Sequence, residues 1–244
     1  MEHDHKKVWF ATGSQDLYGE EPLRKVAEHS KKIVKALDES PCIPLTVEFR
    51  SVFTTAPDIS AMCSAANSDD SCVGLILWMH TFSPARMWMD GLQTLQKPYV
   101  HLHTQFNREI PWSEIDMDFM NLNQSAHGGR EFGFVASRMR KNRKVIVGHW
   151  QDEDLIDQLA QWIRTASAWQ DSQGARIVRF GDNMRNVAVT EGDKVEANIE
   201  FGYSVPGYGI GDLVEEVKAV SNSRINSILS EYEDKYNVTT DNEK

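Results

Sequence analysis

The stretch Cys72–Met79, which reads CVGLILWM, decides the fold because it offers no polar face to solvent. A strand that is apolar on both sides belongs at the centre of a parallel sheet covered by helices on both faces. The stretch is also far too short to cross a bilayer as a helix. We therefore predict a central strand over Val73–Met79 and expect alternating helices and strands on either side of it.

The preceding segments fit this arrangement. Lys7–Thr12 predicts a first buried strand, and Glu21–Leu37 carries apolar residues at helical spacing. Leu45–Phe53 alternates as a second strand, and Pro57 opens a short helix at a position where its missing N–H is harmless.

The following segments continue the alternation as far as about residue 174. Ser83 and Pro84 predict the N-cap and first residue of a helix. A long polar loop is expected before residue 124. The further elements predicted are a helix over Pro84–Gln96, a strand over Tyr99–His103, a helix around Gln124–Met139, a strand over Val145–Val147 and a helix over Asp152–Ala168. Repeated strand–helix units imply a doubly wound α/β domain of Rossmann or flavodoxin type over residues 1–174.

A second, incomplete α/β domain is predicted over residues 175–244. Ala175–Phe180 predicts a strand, and Val187–Thr190 with Val195–Phe201 predicts a β-hairpin. Gly211–Val220 and Ile225–Tyr236 are expected to be helical. Because these few elements can form only a small hydrophobic core, this segment is interpreted as the beginning of a larger domain.

Composition narrows the classes of partner and location. The formal net charge is -10, and we expect lysine and arginine to form no basic face, which disfavours nucleic acid and membranes. Three cysteines without CxxC spacing favour a reducing compartment. The charged start has no apolar signal segment, so a cytoplasmic location is expected.

Unusual polar segments follow several of the predicted strands. In an open parallel sheet, ligands bind outside the carboxyl ends of the strands. Amide and imidazole side chains both donate and accept hydrogen bonds, which suits ligands rich in hydroxyl groups. The segments are Gly13–Gly19, His80–Pro84, His103–Phe106, Asn121–Arg130 and Gly181–Arg185.

These segments do not form a recognised catalytic motif. The first is not GxGxxG, so a dinucleotide site is disfavoured. Asn121–Arg130 could instead be a helix cap followed by a close Gly-Gly contact. His101 and His103 share a strand face and are interpreted as a hydrogen-bonded pair rather than metal ligands. Asp116 and Asp118 suit a helix start or a solvated loop better than a Mg²⁺ site. No metal cage, nucleophile–base pair or phosphate cradle is recognisable.

The motifs GSQDLYG, LWMHTFSPARMW, HTQFN, PWSEIDMDFMNLNQSAHGGREFGF, GHWQD and RFGDNMRNVAVTEGDKVEA together resemble the L-arabinose isomerase family. The resemblance runs almost from end to end, although the chains of the family are considerably longer. It implies that this chain corresponds to the amino-terminal domain and the first part of the central domain, and so to a truncated form.

The resemblance implies aldose–ketose isomerisation of L-arabinose to L-ribulose, and in the family often also of D-galactose to D-tagatose. In the family, two glutamates and two histidines hold a divalent metal, usually Mn²⁺, and the glutamates serve the acid–base proton transfer. Those residues lie in parts of the family that this sequence does not cover. We therefore expect no catalytic residue and no metal ligand in this chain.

The resemblance also implies which residues meet the sugar. In the family, amino-terminal residues complete the pocket of a neighbouring subunit, so a homo-oligomer or association with a complementary carboxy-terminal half is expected. These side chains could instead mainly hold the subunit interface. The positions that match are Gln15, Leu17, Tyr18, Phe82, Gln124 and His127 in the first domain and Met184 in the second.

Two other functional classes remain open at this point. The chain could be a non-catalytic module of the family that forms oligomers or binds sugar. A nicotinamide-dependent dehydrogenase has only the fold class in its favour, which is a weak argument.

Overall fold

A computed structural model describes residues 5–237 and shows an α/β fold with a five-stranded parallel sheet. The strand order is β2-β1-β3-β4-β5, the order of doubly wound flavodoxin-like sheets, so the predicted fold class is confirmed. Two compact units divide at Gln170 and Asp171. The five strands are β1 Lys7–Gly13, β2 Thr46–Phe53, β3 Cys72–Met79, β4 Tyr99–His103 and β5 Lys144–Val147.

Helices cover both faces of the sheet in the first unit. The side chains of β3 are all buried and alternate between two cores, as its unbroken apolar sequence requires. One core packs against the first and last of the helices, and the other packs against the second, third and fifth. The six helices are α1 Glu20–Asp38, α2 Ala56–Ser68, α3 Met89–Thr94, α4 Met117–Leu122, α5 Ser125–Arg138 and α6 Glu153–Ser172.

The connection after β3 differs from the prediction. Instead of one helix over Pro84–Gln96, a 3₁₀ turn over Ala85–Trp88 leads into the short α3. Ser83 does not cap it, because its hydroxyl accepts a hydrogen bond from the Trp88 indole at 3.0 Å inside the core. The helical prediction is therefore confirmed over residues 85–94, while the single regular helix and the Ser83 cap are wrong.

The predicted polar loop before residue 124 is also partly wrong, since it contains α4. Asp116 caps this helix by accepting from the backbone N–H of Phe119 at 2.8 Å. The interpretation of Asp116 as a helix-start charge is thereby confirmed, and the length of α4, only 6 residues, explains why periodicity did not reveal it.

The second unit contains a parallel pair of two-residue strands where a β-hairpin was predicted. β6 Arg179–Phe180 pairs with β7 Gly207–Tyr208. The residues between them form a 3₁₀ turn, Ala188–Thr190, and helix α7, Lys194–Phe201. The hairpin prediction is wrong, and of the predicted strand Ala175–Phe180 only the end is a strand.

Capping explains why α7 forms where a hairpin was predicted. The Asp193 carboxylate accepts from the backbone N–H groups of Val195 and Glu196 at 3.0 and 2.9 Å. Gly202 ends α7 in the left-handed conformation with φ 78°. These local bonds outweigh the strand preference of the valine and isoleucine residues, because no neighbouring strand is present to pair with them. The two later helices agree with prediction as α8 Ile210–Ala219 and α9 Asn222–Lys235.

Among the residues that the structure describes, no helix is both long and apolar enough to cross a membrane.

Candidate functional site

The crevice of this sheet lies where the chain reverses its direction of winding, between β1 and β3. In doubly wound folds, ligands bind at this switch point, outside the carboxyl ends of the strands. The Ser14 and Thr81 hydroxyls, which follow these two strands, bond each other at 2.7 Å and are fully buried. A Cβ on Gly13 would stand 2.8 Å from the Ser83 hydroxyl oxygen, so only glycine permits this approach. The two loops are therefore held together.

Helix α5 docks its first turns against the loop after β3. The Ser125 hydroxyl donates to the His80 carbonyl at 3.3 Å, and the Glu131 carboxylate accepts from the Ala85 N–H at 3.1 Å. A Cβ on Gly128 would stand 2.6 Å from the Thr81 carbonyl oxygen. The close Gly-Gly contact considered for this segment thus exists, and it positions the neighbouring polar side chains rather than replacing their role.

His127 projects from this docked turn and joins two of the predicted site segments, His80–Pro84 and Asn121–Arg130. Its ring stacks on Phe82, with centroids 4.6 Å apart and planes 28° from parallel. Its Nδ1 lies 3.1 Å from Gln124 Oε1, and Gln124 Nε2 donates to Asn121 Oδ1 at 3.2 Å. An amide carbonyl only accepts, so this orientation places the imidazole proton on Nδ1 and leaves Nε2 as an acceptor. The exposed edge of His127 can therefore accept a hydrogen bond from a ligand hydroxyl.

A pocket of about 600 Å³ opens beside Gln124 and His127. This size and a mixed lining are typical of small-molecule sites. Its polar lining includes Gln105, whose Oε1 is buried without a hydrogen-bond partner. The apolar part comes from α4 and the segment before it, with Ile110, Ile115, Met117, Phe119 and Met120.

The other predicted site residues lie apart from this pocket. Tyr18 lines a neighbouring pocket of about 460 Å³ that shares Phe119 and Asn121 with the first. Gln15 is half-buried and Leu17 is 86% exposed, and neither lines either pocket. Met184 belongs to the second unit and is 66% exposed. The assignment of all seven residues to a sugar site stays a prediction.

A second histidine group, His29 and His80, lies at the carboxyl end of β3, and this pair was not predicted from the sequence. His29 Nδ1 lies 2.8 Å from His80 Nε2, while His29 stacks on Phe106 and His80 stacks on Trp78. Burial lowers the pKa of His80 to about 3 and, together with the charge of Lys32, lowers the pKa of His29 to about 4. Both rings are neutral at pH 7, so they act as rigid packing and hydrogen-bonding groups.

The pair predicted from strand spacing is different. His101 and His103 are neighbours with ring centroids 5.0 Å apart, but no hydrogen bond joins them, and His101 Nε2 is buried without a partner. Burial, and next the nearby His103, lower the pKa of His101 to about 3. The prediction of a hydrogen-bonded pair is wrong, and His101 instead packs edge-on against Phe132 of α5.

Residues 5–237 contain no group of three histidine, cysteine, aspartate or glutamate side chains that could hold a metal ion. The side chains nearest His127 are amides and an aromatic ring, which are poor ligands for Mn²⁺ compared with carboxylates. The described residues therefore do not fit the metal that the resemblance implies.

One expectation about charge is overturned by the structure. Sequence reasoning predicted no basic face, yet five cationic side chains line one cleft at the amino ends of β4 and β5. They come from two segments that the fold brings together, and they are Lys97, Arg140, Lys141, Arg143 and Lys144.

Comparison with known proteins gives one consistent result. The family profile described as L-arabinose isomerase N-terminal domain matches residues 2–174, and that of the central domain matches residues 176–244. The chain is 58% identical over 233 residues to an L-arabinose isomerase of Koribacter versatilis, covering 96% of this chain and 47% of the relative. It is 62% identical over 230 residues to one of Herpetosiphon aurantiacus, covering 94% and 46%. For Geobacillus stearothermophilus the values are 57% over 232 residues, covering 95% and 47%. The chain spans about half the length of these curated relatives.

Proposed function

This chain belongs to the L-arabinose isomerase family, and from that premise we propose that it supplies one wall of the sugar site of an aldose–ketose isomerase. The substrate proposed is L-arabinose, converted to L-ribulose, with D-galactose as a second candidate. The observation that carries the proposal is the group of Phe82, Gln124 and His127, of which Gln124 and His127 line an open pocket formed by the segment after β4, by α4 and by the start of α5.

The chemistry of this wall suits a sugar. The Nε2 of His127 accepts from a hydroxyl, and the Gln124 amide, anchored to Asn121, fixes the imidazole. The Phe82 ring stacks on one face of the His127 imidazole, so His127 is held in position although it stays exposed. A neutral imidazole in this position can take the proton of an anomeric hydroxyl during ring opening, which must precede isomerisation of an aldose.

The centre of the reaction is proposed to lie outside this chain. A divalent metal, expected to be Mn²⁺, would polarise the sugar oxygens during transfer of a proton between two carbons. Its ligands and the acid–base groups are assigned to the part of the family's length that this chain does not span, since the described residues offer no fitting ligand set.

A second chain is proposed to cover the wall. Large apolar side chains near the pocket are exposed to solvent in this chain. A contiguous group of this kind marks a surface that another protein covers. These side chains are Ile110, Trp112, Met117 and Met120, with Trp112 exposed over 78% of its surface. A homo-oligomer, or a complementary carboxy-terminal half, would bury them and close the sugar site.

The cysteines support the proposed cytoplasmic location. All three thiols are free, and burial raises the pKa of Cys63 to about 12 and that of Cys72 to about 11. Cys42 is exposed and unpaired, as is common in a reducing compartment.

Reconstitution tests the proposal. The purified chain should convert no L-arabinose with Mn²⁺ alone, but should do so when mixed with the carboxy-terminal half of the Geobacillus stearothermophilus relative. His127→Ala should lower kcat/KM of the mixture at least about 100-fold, because it removes a positioned hydrogen-bond acceptor. His5→Ala is the matched control, because His5 is also an exposed histidine but lies near the amino terminus, far in sequence from His127. Turnover by the chain alone, or an unaffected H127A mixture, contradicts the proposal.

A non-catalytic role within the family is the second candidate, favoured by the lack of a metal-capable group among residues 5–237. It predicts that the chain assembles with itself and binds pentoses or pentitols without any turnover in the mixture. Light scattering and calorimetry with L-arabinitol distinguish this outcome from the first.

A further inference from the structure

The cleft at the amino ends of β4 and β5 lies at the opposite edge of the sheet from His127, and it is strongly basic. Its volume of about 780 Å³ is that of a small-molecule site. Five of its lining side chains are lysine or arginine, and none is aspartate or glutamate. In a chain of net charge -10, this concentration of positive charge needs an explanation.

None of these five cations forms an ion pair with a carboxylate within residues 5–237. Lys97 donates to the Gln170 amide oxygen at 2.8 Å, and Lys141 donates to the carbonyls of Gln93 and Leu95. Arg143 donates to the Gly133 carbonyl at 3.1 Å. The neutral acceptors hold the side chains in place but leave their charge uncompensated.

Two buried donors in the cleft also lack partners. The Tyr99 side chain is only 4% exposed, and its hydroxyl has no hydrogen bond, while the Arg143 Nε is buried and likewise unbonded. Burial raises the pKa of Tyr99 and the Arg143 charge opposes that rise, so the two groups are neighbours. No acceptor within residues 5–237 uses these two donors, so the positive charge of Arg143 stays uncompensated beneath the lining of the cleft.

The backbone bends to bring one of the cations to the cleft. Helix α5 ends in a Schellman motif, in which Arg140 N–H bonds the Ser137 carbonyl at 3.1 Å and Lys141 N–H bonds the Ala136 carbonyl at 3.2 Å. Arg140 occupies the position that glycine normally takes, with φ 54°. A left-handed arginine is strained relative to glycine, and such strain clusters at functional positions.

Helix-dipole stabilisation does not account for the whole cluster. Cations at the end of α5 interact favourably with its carboxyl terminus, which covers Arg140 and Lys141. Lys97 lies before β4 and Lys144 begins β5, so neither belongs to that helix end. Their presence in the same cleft requires a different reason.

We propose that this cleft is a binding site for the phosphoryl group of a small organic phosphate, held by Lys97, Arg140, Arg143 and Lys144. Lysine and arginine are the residues that bind phosphate oxygens, and the concave shape admits a small ligand. Trp169, 42% exposed, lines the same cleft and offers an aromatic face for a planar base. The overall negative charge of the chain disfavours long polyanions outside the cleft.

Calorimetry on the full chain tests this assignment with AMP, ribose 5-phosphate and inorganic phosphate, and with adenosine and ribose as uncharged controls. The two organic phosphates should bind, whereas the uncharged compounds should not. Tighter binding of AMP than of ribose 5-phosphate, lost in Trp169→Leu, assigns the base to Trp169. Equal binding assigns recognition to the phosphoryl group alone.

Arg140→Gly separates binding from folding. It removes a cation and also relieves the left-handed strain, so binding should weaken at least about five-fold while Tm stays the same or rises. Lys144→Gln, at an exposed position, should weaken binding similarly. Arg138→Gln is the matched control, because it makes the same charge change on α5 outside the cleft and should leave binding unchanged.

Three results overturn the proposal. The first is no binding of either organic phosphate at millimolar concentration. The second is an equal loss of binding in R138Q and R140G, which indicates nonspecific charge attraction. The third is binding of single-stranded RNA far more tightly than AMP with a steep salt dependence, which assigns the cleft to nucleic acid instead.

Discussion

The two units of the chain contain the same kinds of helix and strand but differ completely in burial. Every buried residue within the described part of the chain lies at or before Ala166, and residues 171–237 contain none. The second unit nevertheless has capped helices with apolar faces, such as Ile225, Leu229 and Tyr232 on α9, all of them exposed. Local hydrogen bonds and capping therefore define elements, whereas a core requires a sheet wide enough for helices to cover it.

The largest expected difference between the units is in amide hydrogen exchange. Amides of β1, β3 and β4 should exchange at least about a thousand-fold more slowly than those of α7, α8 and α9, because only the former lie in a packed core. Mass spectrometry of peptic fragments measures this directly, and limited proteolysis should first cut after residue 175. Equal protection in both units would mean that the second has a core of its own.

A pH titration should affect the first unit alone. All histidines and all tryptophans lie at or before Trp169, so tryptophan fluorescence reports this unit. Burial lowers the pKa of His80 and His101 to about 3, below the unfolded value near 6.5. Their contribution is therefore present above pH 6.5 and is lost as pH falls toward 3.

As pH falls from 6.5 to 4.5, His80 and His101 become protonated in the unfolded chain but stay neutral in the folded one. Each should thereby lower the free energy of unfolding by roughly 2 kcal/mol. Urea unfolding followed by tryptophan fluorescence gives the value at each pH. The far-UV signal of the second unit, which contains no histidine, serves as the internal control. A flat stability profile over this range would show that the two rings are not held neutral by burial.

Replacement of a glycine by alanine should have opposite effects on the stability of the two units. Gly128→Ala should lower the stability of the first unit by about 1–3 kcal/mol, because its Cβ would stand 2.6 Å from the Thr81 carbonyl oxygen. Gly211→Ala in α8 meets nothing within 4 Å and should increase helix content, by up to about 1 kcal/mol. Fluorescence-detected unfolding measures the first change and far-UV circular dichroism the second. A neutral G128A would show that α5 is not held tightly to the β3 loop.

The smallest effect on stability is expected at the proposed site itself. His127 is exposed, so His127→Ala should change the free energy of unfolding by less than about 1 kcal/mol, mainly through the lost stack on Phe82. Denaturant unfolding of H127A and of Phe82→Ala measures the coupling between the two. A loss of several kcal/mol in H127A would indicate a structural rather than a ligand-binding side chain.

Much of the candidate site could be predicted from polar residues at the ends of apolar strands. Gln124, His127 and Phe82 do come together, because β3 and α5 meet at the switch point. Gln15 and Leu17 line neither pocket, since the turn after β1 directs them away from α4. The helix α7 was also within reach of sequence reasoning, because Asp193 followed by Glu196 three residues later is a helix-start signal that strand preference obscured.

The sequence by itself determined the strand–helix alternation of the first unit, because each element there carries its own periodicity and ends at its own polar or proline signal. Only the tertiary structure brought His29 to His80 and Lys97 to the basic segment Arg140–Lys144. Those partners lie tens of residues apart, and their meeting depends on how helices pack on a twisted sheet. The cations among residues 138–144 are already neighbours in the sequence, but no local pattern encodes that Lys97 joins them or that His29 meets His80.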